Sequence, residues 1–507
     1  MIKDLLQRHL PTFFPAKKGQ KHGARTFAGV LGGRLNADWL SGGESIDSKV
    51  LGSLETLRNR CRELEHDNDY VRRYFNLLAF NVIGSEGFNF QSKVTVATAG
   101  SARTLPVRQV IQLQRQGRMK AMGFELDTDL NNQIEEAWRE FSDKRNFTVA
   151  GDLPRTQAEQ LILMTLARDG EALIRKVLGY PNDFSFSLQL IEPELLDHNL
   201  NRAANNGNMI RMGVELNPWR KPIAYWLLTS HPNDFSLPRR TGSTHVRVPA
   251  AEIIHLKSVE RIGQTRGIPW MVSAISRLKT LQGYEHAELV AARAMASKMG
   301  FFEKQSNEGF QGEEDIHGDL IDRLEAGVIE ELPMGVSFKG FDPTHPSSSY
   351  ATFRKGILQG IGSGLGISYP SLGSDLEGVN YSSIRAGLLE DREYYKTIQS
   401  LIIRCFCEDV FANWLPMAIL SGRVPLPSDR SIAEITRPYF LGKRWEWVDP
   451  ERDIKASIAA LEGGLTSARR VISERGGDIE EIYSEIEADR KLAEQHGLQL
   501  TPIKSTA

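Results

Sequence analysis

Apolar positions in the first third of the chain fall at helical spacing. Over about 52–82, Leu54, Leu57, Cys61 and Leu64, then Val71, Tyr74, Leu77 and Leu78, recur three or four apart until Gly84. The pattern predicts one helix there, a second over about 130–145, and a third over about 154–169. The third has Pro154 near its start and Gly170 at its end. The rhythm then changes. "EALIRKVLG", "FSLQLIEPELL", "MIRMGVELN", "PIAYWLLTS" and "IIHLKSVE" are short, β-branched and aromatic, and bounded by Pro, Asn and Gly. They predict strands, with "NPWRKP" as a turn, in a mixed block ending near 265. Trp219 in that turn and Trp226 in the next strand are expected to supply buried aromatic area.

Helical spacing returns in a long run over 269–300, whose second half, "AELVAARAMA", is rich in alanine. Small side chains there let a neighbouring helix approach closely. Ten acids and two bases follow between Glu303 and Leu332. Short strands and turns lead to a helix in "YATFRKGILQGIGSGLG", then to the loop "SYPSLGSDLEGVN", then to a helix over about 382–414 with Asn380 as its N-cap. The tail reads as helices broken at Gly463–Gly464 and Gly476–Gly477. There is no internal repeat.

Length and composition narrow the class. A chain of 507 residues, 41% apolar and 25% charged, predicts roughly two to four folded domains. A net charge of −2 excludes a general nucleic-acid binder, so any contact with DNA is local or does not depend on attraction. Residues 1–26 hold six Lys and Arg against Asp4 and read as a basic arm. The N-terminus has no apolar leader pattern, and no run approaches the ~20 apolar residues of a membrane span. Cys61, Cys405 and Cys407 are too few for a disulfide framework; the C-x-C pair lies in an apolar run and is expected to be buried.

Candidate chemistry is sparse. "GIGSGLG", Gly360–Gly366, ends a predicted helix, whereas a dinucleotide fingerprint lies between a strand and a helix, so a hinge or close helix packing accounts for it better. His231 and His255 lie in or beside strands and read as satisfied structural histidines. No hydrolase elbow, zincin or kinase motif is present, and the sequence implies no cofactor, metal or catalytic residue.

The order of these segments, with "NDYVRRYFNLLAFNVIGSEGFNFQ", "LARDGEALIRKV", "LQLIEPELL", "IRMGVELNPWRKPIAYWLL", "GQTRGIPWMVSAISRLKTLQGYEHAELVAARAMA", "FRKGILQGIGSGLGISYPSL" and "VNYSSIRAGLLEDRE", resembles the lambda-type portal proteins of tailed bacteriophages. The resemblance runs from about 60 to 490. It implies an α+β, multi-domain portal fold, with a mixed α/β wing, a two-helix stem, a small clip and a helical crown, assembling as a ring usually of twelve subunits. Its implied divisions are a basic arm (1–50), wing (51–266), first stem helix (267–300), acidic clip (301–345) and second stem helix (346–367). A tunnel loop (368–381), a long wing helix with the following segment (382–444) and a crown with the tail (445–507) complete it.

The resemblance also implies a structural DNA conduit with no chemistry of its own, at one vertex of a virion capsid and assembled in the bacterial cytoplasm. Implied partners are further copies of the chain, double-stranded viral DNA, the terminase large subunit, a head–tail adaptor, and capsid and scaffold proteins, with no membrane. Ser371, Leu372, Gly373, Ser374, Asp375, Leu376, Glu377, Gly378, Val379 and Asn380 fall where portals carry the channel-facing loop. A loop with two acids and no base would repel phosphate. Ala287, Ala291, Ala292 and Ala296 fall on the first stem helix as subunit-packing positions, and Glu313, Glu314, Asp315 and Asp319 on the clip as a partner surface. The alternative is a soluble multi-domain enzyme with a nucleotide-binding glycine loop near 360–378.

Overall fold

The computed structural model describes residues 43–97, 105–116, 118–119, 122–204, 207–234, 245–296, 300–304, 336–340, 350–377, 380–445, 450–474 and 479–496. Helix α1 (Ile46–Asp67) starts on Ser45, whose side chain accepts from the Ser48 amide. Asn68 ends it and at once caps α2 (Asp69–Leu78), its side chain accepting from the Tyr70 and Val71 amides. The run predicted as one helix is thus two, because an asparagine capping the second leaves the helical conformation of the first. α2 passes into a π-turn, Ala79–Ile83, closed by Gly84. Asp47 and Val50 are buried in α1, so packed structure begins within the last residues of the stretch expected as a basic arm (1–50).

Strands β1 (Asn89–Ser92) and β2 (Thr95–Ala97), helix α3 (Val107–Arg115), strand β3 (Phe124–Leu126) and helices α4 (Thr128–Phe141), α5 (Lys144–Phe147) and α6 (Arg155–Asp169) follow. α6 has the predicted ends: Pro154 at the N-cap and Gly170 left-handed at φ 84°. Then come β4 (Glu171–Leu178), β5 (Phe186–Ile191), β6 (Arg202–Ala203), β7 (Met209–Arg211), β8 (Val214–Leu216), β9 (Pro222–Leu228), β10 (His245–Pro249) and β11 (Ile253–Lys257). They form two antiparallel sheets, ordered β10-β9-β8-β7-β6 and β11-β4-β5. "MIRMGVELN" is a hairpin and not one strand. Met212 and Gly213, at φ 46° and 81°, make its two-residue turn.

Helix α7 (Ile275–Ala296) is shorter than the predicted 269–300, because turns occupy residues 270–274 and Gly300 opens a strand. That strand, β12 (Gly300–Lys304), pairs antiparallel with β13 (Val336–Gly340). Helices α8 (Tyr350–Leu365), α9 (Tyr369–Gly373) and α10 (Tyr381–Ile402) lead through a second π-turn, Ile403–Cys407, into α11 (Glu408–Leu420). Cys407 is buried there but Cys405 is exposed, against the expectation for the pair, because residues two apart point to nearly opposite sides of a helix. Helix α12 (Ile432–Ile435), strand β14 (Pro438–Leu441) and helices α13 (Pro450–Glu462), α14 (Ala468–Glu474) and α15 (Ile479–Gln495) complete the described chain.

β14 pairs antiparallel with β1, placing Phe90 opposite Phe440 and closing the main core over both ends of the domain. Aromatic rings fill this core: Trp138 meets Trp414 edge-on at 4.9 Å, and Phe90 meets Phe411 at 4.9 Å. Burying such rings is the largest apolar contribution available per residue.

A second, polar centre lies where α1, the α6–β4 junction and residues 264–268 meet. Glu171 Oε1 accepts from Arg58 Nη2 at 2.8 Å and Arg266 Nε at 2.7 Å, and Oε2 from the Gly267 amide at 2.9 Å. His255 Nε2 lies 3.0 Å from the same carboxylate, and all three side-chain partners are buried with it. Burial by itself would push the Glu171 carboxyl up, but Arg266, Arg58 and His255 hold it well below the usual carboxylate range. Burial also pushes His255 down, against the pull of Glu171. The backbones touch at this point: a Cβ on Gly267 would sit 2.0 Å from the Gly170 oxygen, so only glycine fits.

Candidate functional site

The glycines of α8 are packing positions. A Cβ on Gly360 would meet Arg277 Nη1 at 2.6 Å, and one on Gly364 would meet Ser273 Oγ at 2.9 Å. The close-packing expectation for "GIGSGLG" therefore holds: small residues seat α8 against the start of α7. Gly366, at φ 74°, ends α8 with the Tyr394 ring 3.2 Å from its would-be Cβ. The nucleotide-loop alternative finds no support. Its glycines lie in and at the end of a helix, and the next helix is five residues long with a carboxylate, Asp391, at its start.

Asp391, on α10, is buried and fixes the root of the segment after α8. Its Oδ1 accepts from the Ser368 amide at 2.7 Å, and its Oδ2 from the Ser368 and Ser371 hydroxyls, each at 2.7 Å. From α2, Arg73 Nε donates to the Ser371 carbonyl at 3.2 Å. Neither residue was singled out from sequence. The available signal was an acid on the apolar stripe of Leu388, Tyr395 and Ile398.

The predicted loop begins later than residue 371. Ser371, Leu372 and Gly373 form the last turn of α9, and Leu372 is buried in the main core, where Asp391 on α10 and Arg73 on α2 hold this turn. Ser374, left-handed at φ 51°, starts the departure from the core. Asp375 Oδ2 accepts from the Tyr369 hydroxyl at 2.6 Å and its Oδ1 from the Glu377 amide at 2.9 Å; Lys355 Nζ stands 3.9 Å away. The Tyr369 hydroxyl, then the Glu377 amide, hold the Asp375 carboxyl below its ordinary value. Burial, then Asp375, push the Tyr369 hydroxyl up to about 12. The two loop acids are therefore unequal: Asp375 is tethered beside a lysine, which weakens the expected repulsion, whereas Glu377 and Leu376 are exposed. Gly378 and Val379 lie outside the described residues. Asn380 caps α10 as predicted, accepting from the Ser383 amide at 2.9 Å.

Of the alanines, Ala287 and Ala292 are exposed and Ala291 is half-buried; Ala296 is the last residue of α7. Among them Leu289 is 64% exposed and Val290 50%, and Phe353 on α8 is 51%. Tyr284 packs on Phe353 at 5.1 Å and joins the two helices. The acids Glu313, Glu314, Asp315 and Asp319 lie outside the described residues.

Trp219 does not meet its expectation. It is 89% exposed on the turn before β9, where no sheet of the described residues covers it. Trp226 is half-buried, donates to Glu215 Oε2 at 3.2 Å and stacks under Arg202. His231 gains partners that spacing did not reveal: Glu192, Glu194 and His231 offer ligand atoms within 4.8 Å of one another. The Asn233 amide donates to His231 Nδ1, which leaves the ring proton on Nε2 facing Glu194, and Arg62 already holds Glu194 at 2.6 Å. This is a hydrogen-bonded ion cluster more than a cation cage.

A sequence model described as "Phage portal protein, lambda family" matches residues 32–399. The chain belongs to the lambda family of phage portal proteins. The "Probable portal protein" of Halomonas phage phiHAP-1 is 34% identical over 499 residues, covering 97% of this chain and 91% of that one. "Portal protein B" of Escherichia phage lambda is 22% identical, covering 90% and 87%. A chain from the solved neck of an empty GTA particle is 12% identical with a TM-score of 0.44, covering 86% of this chain and 94% of that chain. Among the described residues no helix is long and apolar enough to cross a membrane.

Proposed function

We propose that this portal-family chain assembles as a ring, about twelve copies by analogy with the family, at one capsid vertex. The terminase motor drives viral DNA through its hole, and the ring then joins head to tail through an adaptor. The observation that carries the reading is the α7–α8 arm. It leaves the core with Leu289, Val290 and Phe353 exposed and carries the two-stranded β12–β13 sheet. Among the described residues these side chains stay half or more exposed, and a two-stranded sheet is marginal alone, so in this reading neighbouring copies cover them. In this reading α7 and α8 are the stem, β12 and β13 belong to the clip, residues 374–380 face the channel, and helices α13 to α15 form the crown.

The channel segment supports passage without grip. Glu377 adds negative charge at each copy, and Asp375 with Lys355 adds nearly none, so a ring of such segments offers few phosphate contacts. The test is assembly with scaffold and capsid proteins, followed by negative-stain imaging and mass measurement. A ring with a central hole and a mass near twelve times 56.8 kDa is expected. A monomeric or dimeric species in scaffold-assembled heads would overturn the reading.

A further inference from the structure

The geometry points to Asp391 as the positioning residue of the channel segment: it clamps the segment's root through Ser368 and Ser371, so that the chain leaves the core only beyond Gly373. Three donors converge on one buried carboxylate, each at 2.7 Å. Its two oxygens divide the work. Oδ1 takes the Ser368 amide, which would otherwise be left over at the start of α9, and Oδ2 holds both hydroxyls, themselves 3.0 Å apart. Arg73 takes the Ser371 carbonyl from the opposite side, so Ser371 is held by α10 and α2 at once. Leu372 between them is sealed in the core. Beyond Gly373 the restraint changes in kind: Ser374 is left-handed, and Asp375 is tied to Tyr369 within the segment and to Lys355 on α8. A shift of α10 is thereby passed to the root of the segment through Ser368 and Ser371, and the Tyr369–Asp375 bond links that root to the residues beyond Ser374.

The role of residues 374–380 at DNA rests on the proposed portal function; the clamp does not. The closing experiment separates the two. Full-length rings carrying Asp391→Asn are compared with wild type by amide hydrogen exchange over Ser368–Gly373, and by DNA packaging and retention in assembled heads. The amide keeps one acceptor oxygen and puts an NH2 group against either the Ser368 amide or the two hydroxyls, so exchange at the root is expected to rise about tenfold, with DNA retention lowered. Unchanged exchange overturns the clamp. Faster exchange with unchanged DNA handling keeps the clamp and removes the DNA-facing assignment of the segment. If Asp391→Asn gives no soluble chain, Ser371→Ala decides: it removes one of the three donors and should raise exchange by a smaller factor, and no rise overturns the clamp.

Discussion

Around Glu171 two arginines, a histidine and a backbone amide converge on one carboxylate, and each side chain is buried within the single chain. Along Ala287–Ala292, by contrast, Leu289 and Val290 stand in solvent on a helix whose inner half, at Leu278 and Leu281, is fully packed. The first region satisfies its polar groups internally and fixes the relative placement of α1, α6, β4 and β11. The second has surface to spare. Stability of the chain and stability of an assembly should therefore be separable by mutation.

The sharpest break in that comparison is Glu171→Gln. It leaves Arg58 and Arg266 buried without their counter-charge, and removing one partner of a buried pair costs about 3–5 kcal/mol. The variant chain is expected to be largely insoluble or to melt far below wild type in a thermal scan; a wild-type midpoint would contradict the account of this junction.

Acid should act on the same region. Glu171 has a folded-state pKa below its unfolded value, so its contribution is present above about pH 4.3 and is lost as pH falls further. His255 is also depressed, so protonation favours the unfolded chain once pH drops below about 6.5. Both effects have the same sign. The melting midpoint should fall as pH drops below about 6.5 through His255, and fall again below about pH 4.3 through Glu171; a flat profile in the first window would speak against His255 and in the second against Glu171.

Ala292→Leu probes the other region. Added methylenes at a packed contact cost about 1–3 kcal/mol, but only where a neighbour exists. The monomer should melt as wild type while rings become fewer or less stable in negative stain. Equal ring yield would remove Ala292 from the subunit contact. The smallest effect is expected at Trp219, where exposure predicts that Trp219→Ala changes chain stability by no more than about 0.5 kcal/mol in a denaturant titration.

Elements with a local cause were legible in the sequence. Pro154 and Gly170 bracket α6 because proline presets a first turn and glycine a left-handed stop, and both properties belong to single residues. Asn380 was read as a cap for the same kind of reason. Features with a distant cause were not legible. β1 and β14 recognise each other across most of the chain, and β10 lies between a stretch outside the described residues and a short turn, with few apolar positions of its own. Leu372 looked like a loop residue because its neighbours are Ser, Gly and Asp. Its burial depends on Asp391 and Arg73, which lie far away in sequence. Trp219 failed in the opposite way: aromatic identity predicts average burial, but a turn with no layer above it leaves the ring bare.

The π-turn between α10 and α11 has a consequence for how the two ends of that long rod are aligned. One extra residue advances everything after it by about 100° around the axis. Upstream, the inward row is Asp391, Tyr395, Ile398 and Ile402; downstream it is Val410, Phe411, Trp414 and Ala418. The π-turn absorbs that step, so both rows face inward along one rod, one bearing on the root at Ser368 and the other on the aromatic core. Deleting a single residue from Ile403–Cys407 would restore the plain α-helical ladder and swing one row about 100° away from the other, so the core and the root could no longer both be engaged.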